Sequence, residues 1–391
     1  MKKTYSILLL FILSLTYSCV EEFNAGTIEF EDAIVIEATI TNEFKHHQIL
    51  LSRTYRLEER EPNLESDAIV RVITSTNNTY TFNETEPGVY LSDIPFSALP
   101  NIRYQLFIDT NDGREYTSKS TELTNNSIID NLYAIRETNE EGVDGIGIYL
   151  DGSAPANNSK YYGYEFEETY QVLAPFWVPD QLVPNPLYPD IEPDDPWVTI
   201  PKTIEDGICF STVNSQGKLV VNTNLLSEDK ISKFLIRFIP KDDLRINSRY
   251  SILVKQYTQS ERSYNYLETL NDLSTSESLL SQNQPGFIAG NIFSPSNPNE
   301  KVLGFFEVSS ITEERIFFNR SEFFDQKTEA YPWKCEFGLN GFSISYLLRT
   351  KKGIHFWGGN DPTQPTLFVF PRECGDCTTL GSNIRPRFWI D

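Results

Sequence analysis

A chain of 391 residues with a formal charge of −22 has no electrostatic grip on a phosphate backbone, which excludes nucleic acid as a partner. Hydrophobic residues make up 39% and aromatic ones 13%, enough to bury a core, and the length fits two domains or more. Tyr occurs 20 times and Phe 26 times against a single Met, a bias that favours strands over helices.

The chain opens with Lys2 and Lys3, an apolar run from Ile7 to Leu15, and the small Ser18. That run is far short of the roughly 20 residues that span a bilayer. Residues 1–18 therefore read as a secretory signal peptide. Leu15-Thr16-Tyr17-Ser18-Cys19 resembles the bacterial lipobox, in which the cysteine thiol takes a diacylglyceryl group and the freed amine a further acyl chain. Each buried methylene contributes about 0.8 kcal/mol, and two or more chains anchor stably. Cys19 is thus the expected lipidation site and the expected tie to the lipid bilayer. Val20-Glu21-Glu22 resembles the acidic signal, here Glu21 and Glu22, that sends lipoproteins of Bacteroidota to the cell surface. Residues 19–32 are the expected acidic tether. Loss of Lys2 and Lys3 makes the mature chain more acidic still, so repulsion from anionic headgroups holds its body off the membrane.

From residue 33 the pattern alternates. "AIVIEATIT" (33–41), "HQILLSRTY" (47–55) and "DAIVRVITS" (67–75) are short strand runs. Pro87-Gly88 turns between two aromatic-rich strands in "NTYTFNETEPGVYLS" (78–92). Asn111-Asp112-Gly113 lies between two more and is a hairpin signal, because Asp-Gly accepts positive φ. Asp109, Asn111 and Asp112 lack the spacing of an EF-hand calcium loop. The expectation over 33–125 is a β-sandwich of immunoglobulin-like or transthyretin-like proportions.

The polar stretch 121–145 reads as loop, with a domain boundary near Asn126 and a larger β-rich domain over 126–391. "GIYLDGS" (147–153) and "KYYGYEFEETYQVLAP" (160–175) read as an aromatic strand pair. Residues 173–202 hold eight prolines, which cannot join a sheet interior, so this strap is an extended excursion. Its Trp177, Tyr188 and Trp197 are the candidate ligand or partner contacts, since stiff aromatic loops lose little entropy on binding. The alternative is a strap packed on the protein's own sheet. Strands resume at 217–227, 233–240 and 250–259. Tyr264, Leu267, Leu270 and Leu273 recur at helical spacing and predict one helix near 261–282. Residues 286–319 read as strand, turn, strand, with the turn at 294–299.

No chemistry stands out. His46 and His47 point to opposite faces of a strand, and the third histidine, His355, is distant. Neither a His-Glu-x-x-His motif, a Gly-x-Ser-x-Gly elbow nor a glycine-rich phosphate loop is present. No catalytic residue, metal ligand or cofactor is assigned, and the expectation is a protein that is not an enzyme. Apart from Cys19 the cysteines are Cys209, Cys335, Cys374 and Cys377. Cys374-Gly375-Asp376-Cys377 follows strands rather than opening the helix a redox dithiol needs. A four-cysteine zinc site needs a second close pair. An even count in an exported chain reads as two disulfides. A bridge within 374–377 closes a very small ring, so each of the two is expected to pair outward, one with Cys335 and the other with Cys209.

The order of these pieces is recognisable. The lipobox, "IVIEATIT" with "ILLSRTY", "TYTFNETEPGVY", "RYQLFID" with "GREYTS", the isolated Cys209, "GFIAGNIFSPSNPNEKVLGFFEVSS" and "ECGDCTTLGSNIRPRFW" together resemble the Bacteroidota lipoproteins that carry domain of unknown function 4249. The resemblance implies an all-β outer-membrane lipoprotein with no catalytic residues to carry over. Genes for such proteins tend to lie beside TonB-dependent outer-membrane receptors. It therefore implies a surface accessory that helps a receptor capture or deliver a ligand. A stand-alone carbohydrate-binding or adhesion protein is the alternative, because exposed aromatic rings stack on sugars.

Overall fold

The computed structural model describes residues 32–56, 59, 62–154, 159–184, 197–275, 287–325, 331, 334–335, 353–358 and 366–391. The signal segment, Cys19, Glu21, Glu22 and Tyr188 lie outside the described residues.

The described chain is nearly all β. Its strands in order are β1 (Ile34–Thr41), β2 (Gln48–Arg53), β3 (Asn63–Leu64), β4 (Ile69–Thr74), β5 (Thr79–Glu86), β6 (Val89–Ser92), β7 (Arg103–Asp109), β8 (Glu115–Ser118) and β9 (Thr121–Glu122). They continue with β10 (Ile128–Thr138), β11 (Asp144–Ser153), β12 (Tyr161–Leu173), β13 (Asp180–Pro184), β14 (Trp197–Pro201), β15 (Ile208–Asn214), β16 (Leu219–Asn222), β17 (Lys230–Pro240) and β18 (Arg249–Thr258). After a helix, Glu261–Thr275, come β19 (Ile292–Phe293), β20 (Val302–Ser309), β21 (Ile311–Asn319), β22 (Gly353–Gly358) and β23 (Thr366–Pro371).

The first body is one mixed sheet in the order β19-β8-β7-β4-β5-β6-β2-β1-β20. Period-two alternation turns Ile34, Ile36, Ala38 and Ile40 of β1 inward. They share one core with Val70, Leu106, Tyr116 and, from the far end of the chain, Val302, Phe306 and Val308. Gly88 and Gly113 take φ of +72° and +84° at the two turns where the sequence placed them. The boundary is different from the one expected. Residues 33–125 do not complete this sheet, because β20 pairs β1 in parallel and β19 pairs β8. A parallel partner needs a long crossover and carries no hairpin signal, so nothing in the local pattern announces it. Asn291 joins the two sheet ends. Its side-chain amide donates to Phe306 O at 2.7 Å and accepts from Phe306 N at 2.8 Å, while its backbone carbonyl accepts from Lys119 N.

The second body stacks a three-stranded sheet, β10-β11-β17, on a five-stranded one, β15-β12-β18-β21 with β16 beside β12. Ile146, Ile148, Tyr162, Tyr164, Tyr250 and Ile252 fill the space between them. Two readings need correction. The stretch taken as loop contains the 11-residue β10, whose alternation is broken by a bulge between Ile129 and Asn131. β11 and β12 do not pair with each other, since they lie in different sheets. The two bodies meet along a seam of hydroxyls, because only Ser310 separates β20 from β21. Ser310 Oγ donates to Thr124 O at 2.6 Å, Ser309 Oγ to Thr258 O at 2.6 Å, and Thr312 Oγ1 to Ser127 O at 2.7 Å.

The helix is anchored by Tyr264 and Tyr266, both buried, whereas Leu273 is exposed. The leucine stripe is therefore secondary to the tyrosine pair. The helix is described to Thr275, and the rest of the expected span to 282 lies outside the described residues. No helix among the described residues is long and apolar enough to cross a membrane.

His47, only 1% exposed, donates from Nε2 to Phe96 O at 2.9 Å, and its Nδ1 has no partner. Burial pushes its pKa down to about 4. As pH falls below about 6.5 the unfolded chain takes up this proton before the folded one, so stability is full above that pH and is lost towards pH 4. The total is about 3 kcal/mol. Urea midpoints at pH 7 and pH 4.5 should show a smaller acid loss for His47→Gln than for the wild type. Equal losses would mean His47 titrates normally.

Candidate functional site

The strap leaves the second body at Leu173, the end of β12. It does not run as an unpaired excursion. β13 and β14 pair with each other, from Asp180↔Pro201 to Pro184↔Trp197, and among the described residues with no other sheet. Pro184 and Pro201 sit at the ends of this ladder, where a missing N–H costs least.

The base of this ribbon is fixed from several sides. The Phe176 ring stacks on Phe370, with centroids 4.0 Å apart, and Phe176 N donates to Cys374 O at 2.9 Å. Trp177 is half-buried. Its Nε1 donates to Asp206 Oδ1 at 2.6 Å, and Lys202 Nζ reaches the same oxygen at 2.9 Å. A Cβ on Gly207 would sit 2.6 Å from the Trp177 ring, so only glycine lets the indole lie flat there. Of the three aromatic candidates, Trp177 thus rests on the protein's own body. Trp197 is placed by its backbone at the far end of the ribbon ladder.

The four cysteines converge on this base. Cys209 on β15 is bonded to Cys377, and Cys335 to Cys374. Both residues of the Cys374-Gly375-Asp376-Cys377 stretch pair outward, which leaves neither a redox dithiol nor a zinc-binding thiolate. Cys377 N donates to Asp206 O at 2.8 Å, so Asp206 holds the ribbon with its side chain and the tail with its backbone. Burial alone would raise the Asp376 pKa, but hydrogen bonds from Thr378 and Arg372 hold it below the usual carboxylate range. Burial, with Asp376 and Glu373 nearby, pushes the Tyr331 phenol up to about 12, so it stays neutral and donates to Glu373 O at 2.5 Å. Beyond Cys377 the tail bridges to β15 through Phe210 and Ser382. Near its end Trp389, 3% exposed, is set edge-on against Phe210.

Sequence reasoning singled out the cysteines and Trp177 but missed Asp206, Phe370 and Trp389. None of these has a local signal, since each acts on a residue far away in the chain. Among the described residues no group of three or more His, Cys, Asp or Glu side chains is placed to hold a metal. The arrangement is a two-stranded ribbon whose base is tied to a disulfide-bonded tail.

The chain matches the model of Domain of unknown function (DUF4249) over residues 20–315. No curated protein matches it. The ribbon lies inside the matched region, whereas Cys335, Cys374 and Cys377 lie beyond it. The match spans well over half of the sequence, and the chain belongs to the family that carries domain of unknown function 4249.

Proposed function

We propose that this protein is a surface-exposed outer-membrane lipoprotein, anchored through acyl chains on Cys19, that serves as a non-enzymatic accessory or ligand-capture partner of a TonB-dependent receptor. The observation that carries this reading is the β13–β14 ribbon. Among the described residues it pairs with neither body, yet two disulfides and the Trp177–Asp206 contact brace its base. A ribbon tied down at its base supports a contact role, because a pre-ordered surface loses little entropy on binding. The lipobox and Glu21-Glu22 support the location.

The test is affinity recovery of the full chain from detergent-solubilised outer membrane, beside a variant with 180–201 replaced by a short Gly/Ser linker. The expected result is a receptor recovered with the full chain, and recovery lower by about tenfold or more with the variant, at unchanged melting temperature. The intact mass should begin at residue 19 and carry added lipid. Recovery of a lone monomer in mild detergent would sink the proposal. Binding of the soluble body to a glycan array with no receptor present would support the carbohydrate-binding alternative instead.

A further inference from the structure

A groove of about 290 Å³ lies between the helix, residues 288–291 and β20. Tyr266 and Phe305 form its aromatic floor, with ring centroids 5.7 Å apart, and Ile288 extends the apolar surface. Its charged residues are Lys119 and Arg262, joined by the polar Asn265. Among the described residues no carboxylate lines it, although the chain holds 55 acidic residues against 33 basic ones. Neither Lys119 nor Arg262 makes an ion pair among the described residues, whereas Arg53, Arg71, Arg114, Arg237 and Arg315 all do. Both cations are therefore free to meet a ligand at the groove.

The groove is also built on fixed backbone. A Cβ on Gly290 would lie 1.7 Å from Gly304 O, so the wall segment is pressed directly onto β20. The Asn291 amide then locks it to Phe306.

We infer that this groove binds a small ring-bearing carboxylate, with the carboxylate held by Arg262 and Lys119 and the ring laid against Phe305. A guanidinium matches a carboxylate in two parallel hydrogen bonds, and an aromatic face accepts the apolar side of a ring. The volume is at the small end of ligand pockets and holds about one ring. Two sources share this chemistry, a uronic acid and an aromatic acid. The inference does not rest on the receptor reading, because the groove and the ribbon share no residue.

The experiment is calorimetric titration of the full mature chain with glucuronate and with phenylacetate, with glucose and acetate as controls. One of the two ring carboxylates should bind, and which one names the source. Glucose should fail for lack of charge, and acetate for lack of a ring. Lys119→Gln with Arg262→Gln should weaken binding by about tenfold or more at unchanged melting temperature, since both side chains are exposed. Replacing the ribbon should leave affinity as it was. No binding of either ring carboxylate at about 10 mM, glucose binding as well as glucuronate, or a double variant that binds like the wild type would each overturn the inference.

Discussion

Reduction of the native chain, or Cys209→Ser with Cys377→Ser, is expected to release the C-terminal tail while both β cores stay folded. The Cys209–Cys377 bridge spans 168 residues and the nested Cys335–Cys374 bridge 39. Chain-entropy arguments assign such closures about 4–5 kcal/mol each, but nested loops share part of that constraint, so the effects do not add. What the bridges hold is local. Cys209 and Cys377 belong to a small satellite cluster with Val172, separate from the main core of the second body. Hydrogen exchange should therefore show residues 372–391 and the ribbon base losing protection by orders of magnitude, with β1 to β8 and β10 to β12 unchanged. A cooperative loss of protection in β11, β12 and β18 would show instead that the tail is part of the second core.

The second large effect is expected at Gly304. Its φ is +131°, and a Cβ there would lie 2.1 Å from Ile36 O, in the middle of the parallel β1–β20 ladder. The unfavourable φ costs about 1–3 kcal/mol, and separating two paired strands costs more. Gly304→Ala should lose about 3–5 kcal/mol in urea denaturation, a large part of an ordinary domain's stability. Gly142→Ala is the control. It also has positive φ, +81°, but open space around it, so its loss should stay near 1 kcal/mol. By the same reasoning a fragment ending at residue 125 should not fold, because it lacks Val302, Phe306 and Val308. A stably folded fragment, or equal losses for the two glycine variants, would show that β20 is not essential to the first body.

The sequence was legible where neighbours in the chain are neighbours in space. The Pro87-Gly88 and Asp112-Gly113 hairpins, the inward face of β1 and the long β12 all followed from local alternation and turn chemistry. The helix was found through its leucines, although its buried anchors are Tyr264 and Tyr266. β10 was missed because one bulge breaks its period, and the β1–β20 pairing because a parallel contact has no local signature. The same division holds for the candidate sites. The cysteines and the proline-rich ribbon stand out by residue type. Asp206 and Phe370 matter only through partners brought from elsewhere, and Lys119 and Arg262 are ordinary surface residues until folding sets them on one groove.

The late arrival of β20 has a consequence for how the protein is made. Synthesis delivers the N-terminus first, so residues 34–41 wait for residues 302–309 while β10 to β18 of the second body are being emitted. Throughout that interval β1 presents an open edge with unpaired N–H and C=O groups beside a row of isoleucines, the arrangement that invites pairing with another chain. Contacts this distant in sequence also slow folding. The nascent protein is thus most exposed to aggregation late in its synthesis, and a holding chaperone would be most useful until Ser310 has emerged.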